Sequence, residues 1–443
     1  MGSQDHALQG PQKSIRSISG GLFVLYLYHN VNIMSIPRFI AAAAASLIMF
    51  ASCGEDPYGP TNHVPGQKPD PEQPQDPNAG DQDPKPSFDA LYLGGDISVL
   101  QSYEDNNVPY YDQEGSAIPD VLKYMKSEQV GWNAQRVRLF VNPQQKSPDG
   151  SRDAQVCQDI EYVVRLCKRI KQEGFALLLD FHYSDTWADP SNQWIPKEWA
   201  SLSEIELQSK IYQYTKECLQ RLVDEGAAPD FIQTGNEVSY GMLWSAAVNP
   251  GSKANRCFID SPQENWDRFC ALLAQAVKAC REICPDAGII IHSERSGRLD
   301  ILKDFYTRLS KVDYDIIGLS YYPFWHGPLE TLSKSLDALA KEFPDKKVHM
   351  VETAYHYQWQ APNVDFDLSS IWAINPEGQA AYARDLVKEL KKHENVTGLY
   401  WWFPEENGNG PNSAVLTNWV NRGLWDNQTH RALPALCELK EFL

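Results

Sequence analysis

The sequence predicts a (β/α)8 barrel, and two observations carry that prediction. From Phe88 onward, short apolar runs alternate with longer amphipathic stretches, and the alternation counts to eight. The short runs are also nearly continuous in apolar residues, as parallel strands covered on both faces must be. An open eight-stranded sheet is the alternative, and no phosphate-binding glycine fingerprint supports it.

The strands are expected at 90–97, 134–141, 175–181, 231–235, 288–292, 315–321, 347–353 and 397–403. Helices are expected after them, near 119–128, 153–173, 204–224, 266–283, 299–309, 329–342, 378–392 and 433–443. In the second helix, Ile160, Val163, Val164, Cys167 and Ile170 fall at helical spacing, and Gly174 supplies a stop.

A chain of 443 residues accommodates one such barrel plus appendages. Its net charge of −18 repels phosphate backbones and argues against a nucleic-acid partner. The 13 Trp and 21 Tyr include many beside Gly, Pro, Asp and Asn, in segments that read as loops. Flat rings in such places suit the C–H faces of sugars. The nine Cys form no CxxC pair and no zinc spacing with His. Most read as small buried hydrophobes, with room for one or two disulfides if the chain is exported.

The N-terminal region reads as targeting. Residues 39–51 form an apolar run broken only by Ser46, preceded by Arg38 and followed by Ser52-Cys53. The run is too short to cross a membrane. Phe50-Ala51-Ser52-Cys53 resembles a bacterial lipobox with Phe where Leu is usual, which implies lipidation of Cys53. The expected organisation is an upstream extension (1–33), a lipoprotein signal peptide (34–52), a lipidated Cys with a flexible Pro/Asp-rich linker (53–87) and a barrel domain (88–443). The acidic Gly54-Glu55-Asp56 resembles surface-export signals of Gram-negative lipoproteins, so the expected location is the outer membrane, at the cell surface.

Barrel enzymes place their chemistry where strands end and βα loops begin. Nearly every expected strand here ends in polar or aromatic residues. Among them, Glu237 closes strand four and Glu352 closes strand seven, so the two can face each other across the barrel axis. Glycosidic cleavage needs such a pair: one carboxylic acid for the leaving oxygen, and one carboxylate to attack or to activate water. Asn236 beside Glu237 can hydrogen-bond a sugar hydroxyl.

These strand ends resemble glycoside hydrolase family 53, the endo-β-1,4-galactanases. The resemblance rests on Gly94-Gly95-Asp96-Ile97-Ser98, Arg136 to Pro143, Asp180-Phe181-His182-Tyr183-Ser184-Asp185-Thr186-Trp187-Ala188-Asp189-Pro190, Gly235-Asn236-Glu237, Gly241-Met242-Leu243-Trp244, Ser320-Tyr321-Tyr322-Pro323-Phe324-Trp325-His326-Gly327 and Val351 to Tyr355. It implies Glu237 as acid/base and Glu352 as nucleophile of a retaining double displacement on galactan. Arg138 and a strand-six tyrosine (Tyr321 or Tyr322) are expected to keep Glu352 ionised. His182 and Asn236 are expected to bind hydroxyls and Trp402 to floor the cleavage subsite. Asp96, Asp185, Trp187, Tyr321, Trp325 and His326 are further candidates for substrate contact.

The sequence departs from the family pattern at Phe140, where Trp is expected, and at Phe403, where Glu usually precedes the Pro. No cofactor or catalytic metal is expected. Asp365, Asp367 and the Asn-rich loop 407–412 leave room for structural calcium, although the calcium-type string of some bacterial members is missing. A monomer is expected. The rivals are the same chemistry on mannan or xylan, a non-catalytic glycan-binding lipoprotein, and a metal-dependent hydrolase using His182, His292, His326 and His349.

Overall fold

The computed structural model describes residues 87–143, 153, 155–245, 255–361, 363–409 and 419–443. The expected upstream extension, signal peptide, Cys53 and nearly all of the linker lie outside the described residues. Eight parallel strands close into a barrel in chain order: β1 Tyr92–Asp96, β2 Ala134–Leu139, β3 Ala176–Phe181, β4 Phe231–Thr234, β5 Gly288–Ser293, β6 Ile316–Tyr321, β7 Lys347–Thr353 and β8 Val396–Trp402. Around them run α1 Leu100–Asp105, α2 Val121–Lys126, α3 Ile160–Gln172, α4 Glu204–Asp224, α5 Gln263–Ile283, α6 Leu299–Arg308, α7 Pro323–His326, α8 Leu329–Glu342, α9 Pro376–Leu390 and α10 Ala435–Glu438.

The long helices follow from local chemistry. Ser203 and Glu206 form a capping box that starts α4. Asp159 caps α3 by accepting the Tyr162 N–H, so α3 begins seven residues later than the apolar spacing indicated. Asp153 instead accepts the Gln155 N–H, a local turn that imitates a helix start. The short α1 was not expected, since its N-terminus has no side-chain cap.

Alternation along each strand sorts the interior into layers. The lower layer is apolar: Ala134, Leu178, Phe231, Ile290, Ile316, Val351 and Tyr400 pack together. His349 sits among the rings of Tyr92, Phe231 and Tyr400, and burial pushes its pKa down to about 3, so it is neutral. The neighbouring strand carries Gly398 because a Cβ there would come within 2.4 Å of that imidazole. Two residues further up, the strands turn polar.

One irregularity aims the site. Leu319 pairs with Met350, but Ser320 pairs with Glu352, so Val351 is an extra residue in β7. The bulge lets Val351 fill the lower core while Glu352 still turns inward above it.

Candidate active site

Arg136 of β2 anchors the polar layer. Its guanidinium reaches Asp96 at 2.6 Å, Asp180 at 2.8 Å and Glu352 Oε1 at 3.0 Å. It also donates to Asn236 Oδ1 at 2.9 Å. Burial works against its charge, yet Asp180, Glu352 and Asp96 outweigh that and hold it ionised. The partner of Glu352 is therefore Arg136, correcting the expectation of Arg138. Arg138 pairs with Asp96 at 2.7 Å and lies against Trp187, Trp402 and Phe403.

Glu237, three residues past the end of β4, has a left-handed conformation, φ 48° and ψ 52°. Tyr183 after β3 and Phe403 after β8 also have positive φ, so three βα junctions are strained at this end of the barrel. The Ser320 hydroxyl of β6 donates to Glu237 Oε1 at 2.7 Å and lies 3.5 Å from Glu352 Oε2. Both contacts to that hydroxyl cap the separation of these two oxygens at about 6 Å.

The two carboxyl groups have unequal surroundings. Burial pushes both pKa values up. For Glu352, Arg136 and a 2.8 Å hydrogen bond from the Tyr322 hydroxyl hold the rise to about 6. For Glu237, the charges of Glu352 and Glu294 add to burial, and Ser320 alone pulls the other way, so its pKa lies well above the usual range. The two environments thus favour the charge on Glu352 and the proton on Glu237.

The other expected contacts divide into two groups. Asn236 is 6% exposed, and its amide donates to Ala188 O at 2.8 Å with one proton, which leaves the second for a ligand. Trp402 packs on Trp419 with ring centroids 4.3 Å apart, and Trp325 meets both Tyr322 and Trp419 edge-on, so these rings gather beside Glu352. The remaining candidates are placed otherwise. Asp96 is fully buried and spends its oxygens on Ser98, Arg136 and Arg138. Asp185 accepts the N–H groups of Asn142 and Lys197, stapling two loops. Tyr321 points out of the barrel, donating to Gly327 O and leaving the inward role to Tyr322. His182 accepts the Ala188 N–H on Nδ1, and its buried Nε2 lies 3.1 Å from Asp180, so neither nitrogen opens on the cleft. His326 accepts the Tyr322 N–H and so props that residue.

Sequence reasoning missed Arg136, Ser320 and Trp419 as site residues, and weighed His292 only as a metal ligand. Strand parity could have found Ser320 beside Tyr322; a lone Trp in a polar loop carries no signal. The four histidines of the metal-hydrolase rival do not converge. Among the described residues no group of three or more His, Cys, Asp or Glu is arranged to hold a metal ion. Of the calcium candidates, Asp367 accepts the Ser369 N–H and Asn407 ties to Pro109 and Asn409. The eight cysteines among the described residues are free thiols.

A closed parallel barrel with two carboxyl groups in unequal surroundings over its mouth, walled by indoles, defines a glycoside hydrolase. The chain belongs to glycosyl hydrolase family 53, whose family model matches residues 92–439. It is 31% identical over 345 residues to an endo-β-1,4-galactanase of Bacillus subtilis, covering 75% of this chain and 73% of that protein. Among solved structures, it is similar to the Ignisphaera aggregans GH53 catalytic domain, with a TM-score of 0.66, 29% identity and coverage of 80% of this chain and 96% of that one. A fungal β-1,4-galactanase is similar at a TM-score of 0.64 and 28% identity, covering 79% and 99%.

Proposed function

We propose that the protein is a retaining endo-β-1,4-galactanase acting on galactan and type I arabinogalactan. The observation that supports the reading is the single hydroxyl of Ser320 within reach of both carboxyl groups, which keeps one oxygen of each within about 6 Å of the other. Galactan as substrate is supported by the family and by the galactanases it resembles.

In the proposed first step, the Glu352 carboxylate attacks the anomeric carbon. The bond from that carbon to the leaving oxygen breaks, and the Glu237 proton passes to the leaving oxygen. In the second step Glu237, now a carboxylate, takes a proton from water. The water oxygen attacks the anomeric carbon, the ester bond to Glu352 breaks, and both groups return to their starting state. Arg136 and Tyr322 hold the Glu352 carboxylate before attack and receive its charge back afterwards. We further propose export with a lipid anchor on Cys53, holding a monomeric enzyme at the cell surface.

Digestion of linear galactan, mannan and xylan in parallel tests the substrate. A ladder of short galacto-oligosaccharides is the expected product; galactose alone defeats endo action, and faster cleavage of mannan or xylan defeats the specificity. Proton NMR of the fresh digest should show the β-anomer first. Glu237→Gln should lower kcat/KM by about 10²–10⁴-fold and Glu352→Gln should abolish turnover, both with an unchanged melting profile.

A further inference from the structure

We infer that Ser320, oriented by His292, is a positioning residue that keeps one oxygen of Glu237 as a permanent hydrogen-bond acceptor and steadies the charged form of that residue in the second half of the reaction. The inference rests on the double-displacement reading above.

The argument is an accounting of protons. Ser320 Oγ has three neighbours: His292 Nε2 at 2.8 Å, Glu237 Oε1 at 2.7 Å and Glu352 Oε2 at 3.5 Å. A hydroxyl has one proton to give. The backbone of Glu237 decides where it goes. The Glu237 N–H points at His292 Nδ1 from 3.2 Å, and the Gln233 amide lies 3.0 Å from the same atom. Nδ1 is therefore an acceptor. Asn236 Oδ1, 3.1 Å away, takes its proton from Arg136 instead. Burial, reinforced by Arg136, keeps the imidazole neutral, so its one proton sits on Nε2 and is donated to Ser320. Ser320 must then donate onward. Glu352 Oε2 is the longer contact and is already served by Tyr322, so the proton goes to Glu237 Oε1.

Two consequences follow for the acid. Its labile proton is confined to Oε2, because Oε1 faces a donor. When that proton leaves, the Ser320 bond becomes charge-assisted and roughly twice as strong. The other charges facing Glu237 oppose its ionisation: Glu352 from β7, Glu294 at the end of β5 and Asp189 from the loop after β3, with Tyr322 just after β6 alongside and Arg136 of β2 acting through Glu352. Ser320 is the group that counters them.

The sign of the test follows. Removing the donor destabilises the carboxylate, so Glu237 holds its proton to higher pH. Free-enzyme activity needs that proton; the second step needs it gone. Ser320→Ala should therefore move the alkaline limb of kcat/KM on linear galactan upward by about one pH unit, the shift that a tenfold change in the ionisation constant gives. On an aryl β-1,4-galactobioside it should lower steady-state kcat about tenfold and expose a burst of released phenol. Ser320→Cys, a near-isostere with a weaker donor, should give a smaller shift in the same direction and carries the test if the Ala variant does not fold. Ser320→Thr, which keeps the hydroxyl, should restore the limb. A folded Ala or Cys variant whose activity falls equally at all pH values, with the alkaline limb unmoved and no burst, overturns the inference. Release of the α-anomer by the wild-type enzyme would instead sink the double-displacement reading, which separates the two failures.

Discussion

The lower and upper halves of the barrel interior are made by the same strands and differ completely in chemistry. Below, Ala134, Leu178, Phe231 and Ile290 pack as an apolar plug. One pleat repeat higher, about 7 Å along the strands, the same strands carry Arg136, Asp180, Gln233 and His292. The lower layer gains from leaving water. The upper layer is buried too and is tolerable only because its charges answer one another. Two guanidinium groups, Arg136 and Arg138, meet three carboxylates, Asp96, Asp180 and Glu352. The surplus negative charge beside Glu237 favours its protonated form. Stability and reactivity are thus stacked along one axis and should respond separately to substitution.

The sharpest way to break this contrast is Arg136→Met. Asp180 and Glu352 lose their guanidinium partner, while Asp96 keeps Arg138, so the variant should lose about 3–5 kcal/mol of stability and essentially all turnover. Urea unfolding and galactan assays measure both; a variant losing stability alone would contradict the role given to the upper layer. Phe231→Ala should cost a similar 3–5 kcal/mol from the cavity it leaves, while kcat of the folded fraction stays within about twofold. A large drop in kcat there would show that the layers are coupled.

The smallest expected effect is on the pH profile. The proposed double displacement needs Glu352 ionised and Glu237 protonated. As pH falls through about 6, Glu352 gains a proton and kcat/KM should fall, about tenfold for each further unit. The alkaline limb reports Glu237 losing its proton and belongs to the pair as a whole. An acid limb below pH 4 would show that Arg136 and Tyr322 hold Glu352 more firmly than their geometry implies.

The fold was legible because buried parallel strands leave long apolar runs and amphipathic helices leave a period between them. The meeting of Glu237 and Glu352 was legible because each glutamate ends such a run. Finer assignments failed where the sequence offers no phase. Arg136 and Arg138 both point inward, two residues apart, and nothing in the string tells which reaches strand seven. Tyr321 and Tyr322 differ only in parity, and a strand apolar on both faces gives no reference for parity. The bulge at Val351 lies within an unbroken strand signal. Asp96 and Asp185 were read as ligand groups because they are polar residues near strand ends; their partners, Arg138 and the Lys197 N–H, become visible only once the chain has closed.

Glu237 occupies backbone angles that glycine and asparagine adopt far more readily. The main-chain strain there amounts to roughly 1–2 kcal/mol, and shedding it is open to a single codon change. A population of this gene selected only for surviving heat would drift toward glycine or asparagine at position 237 and go silent, gaining hardiness as it lost its acid. A glutamate in so uncomfortable a place fits the role proposed for its side chain rather than any need of the fold.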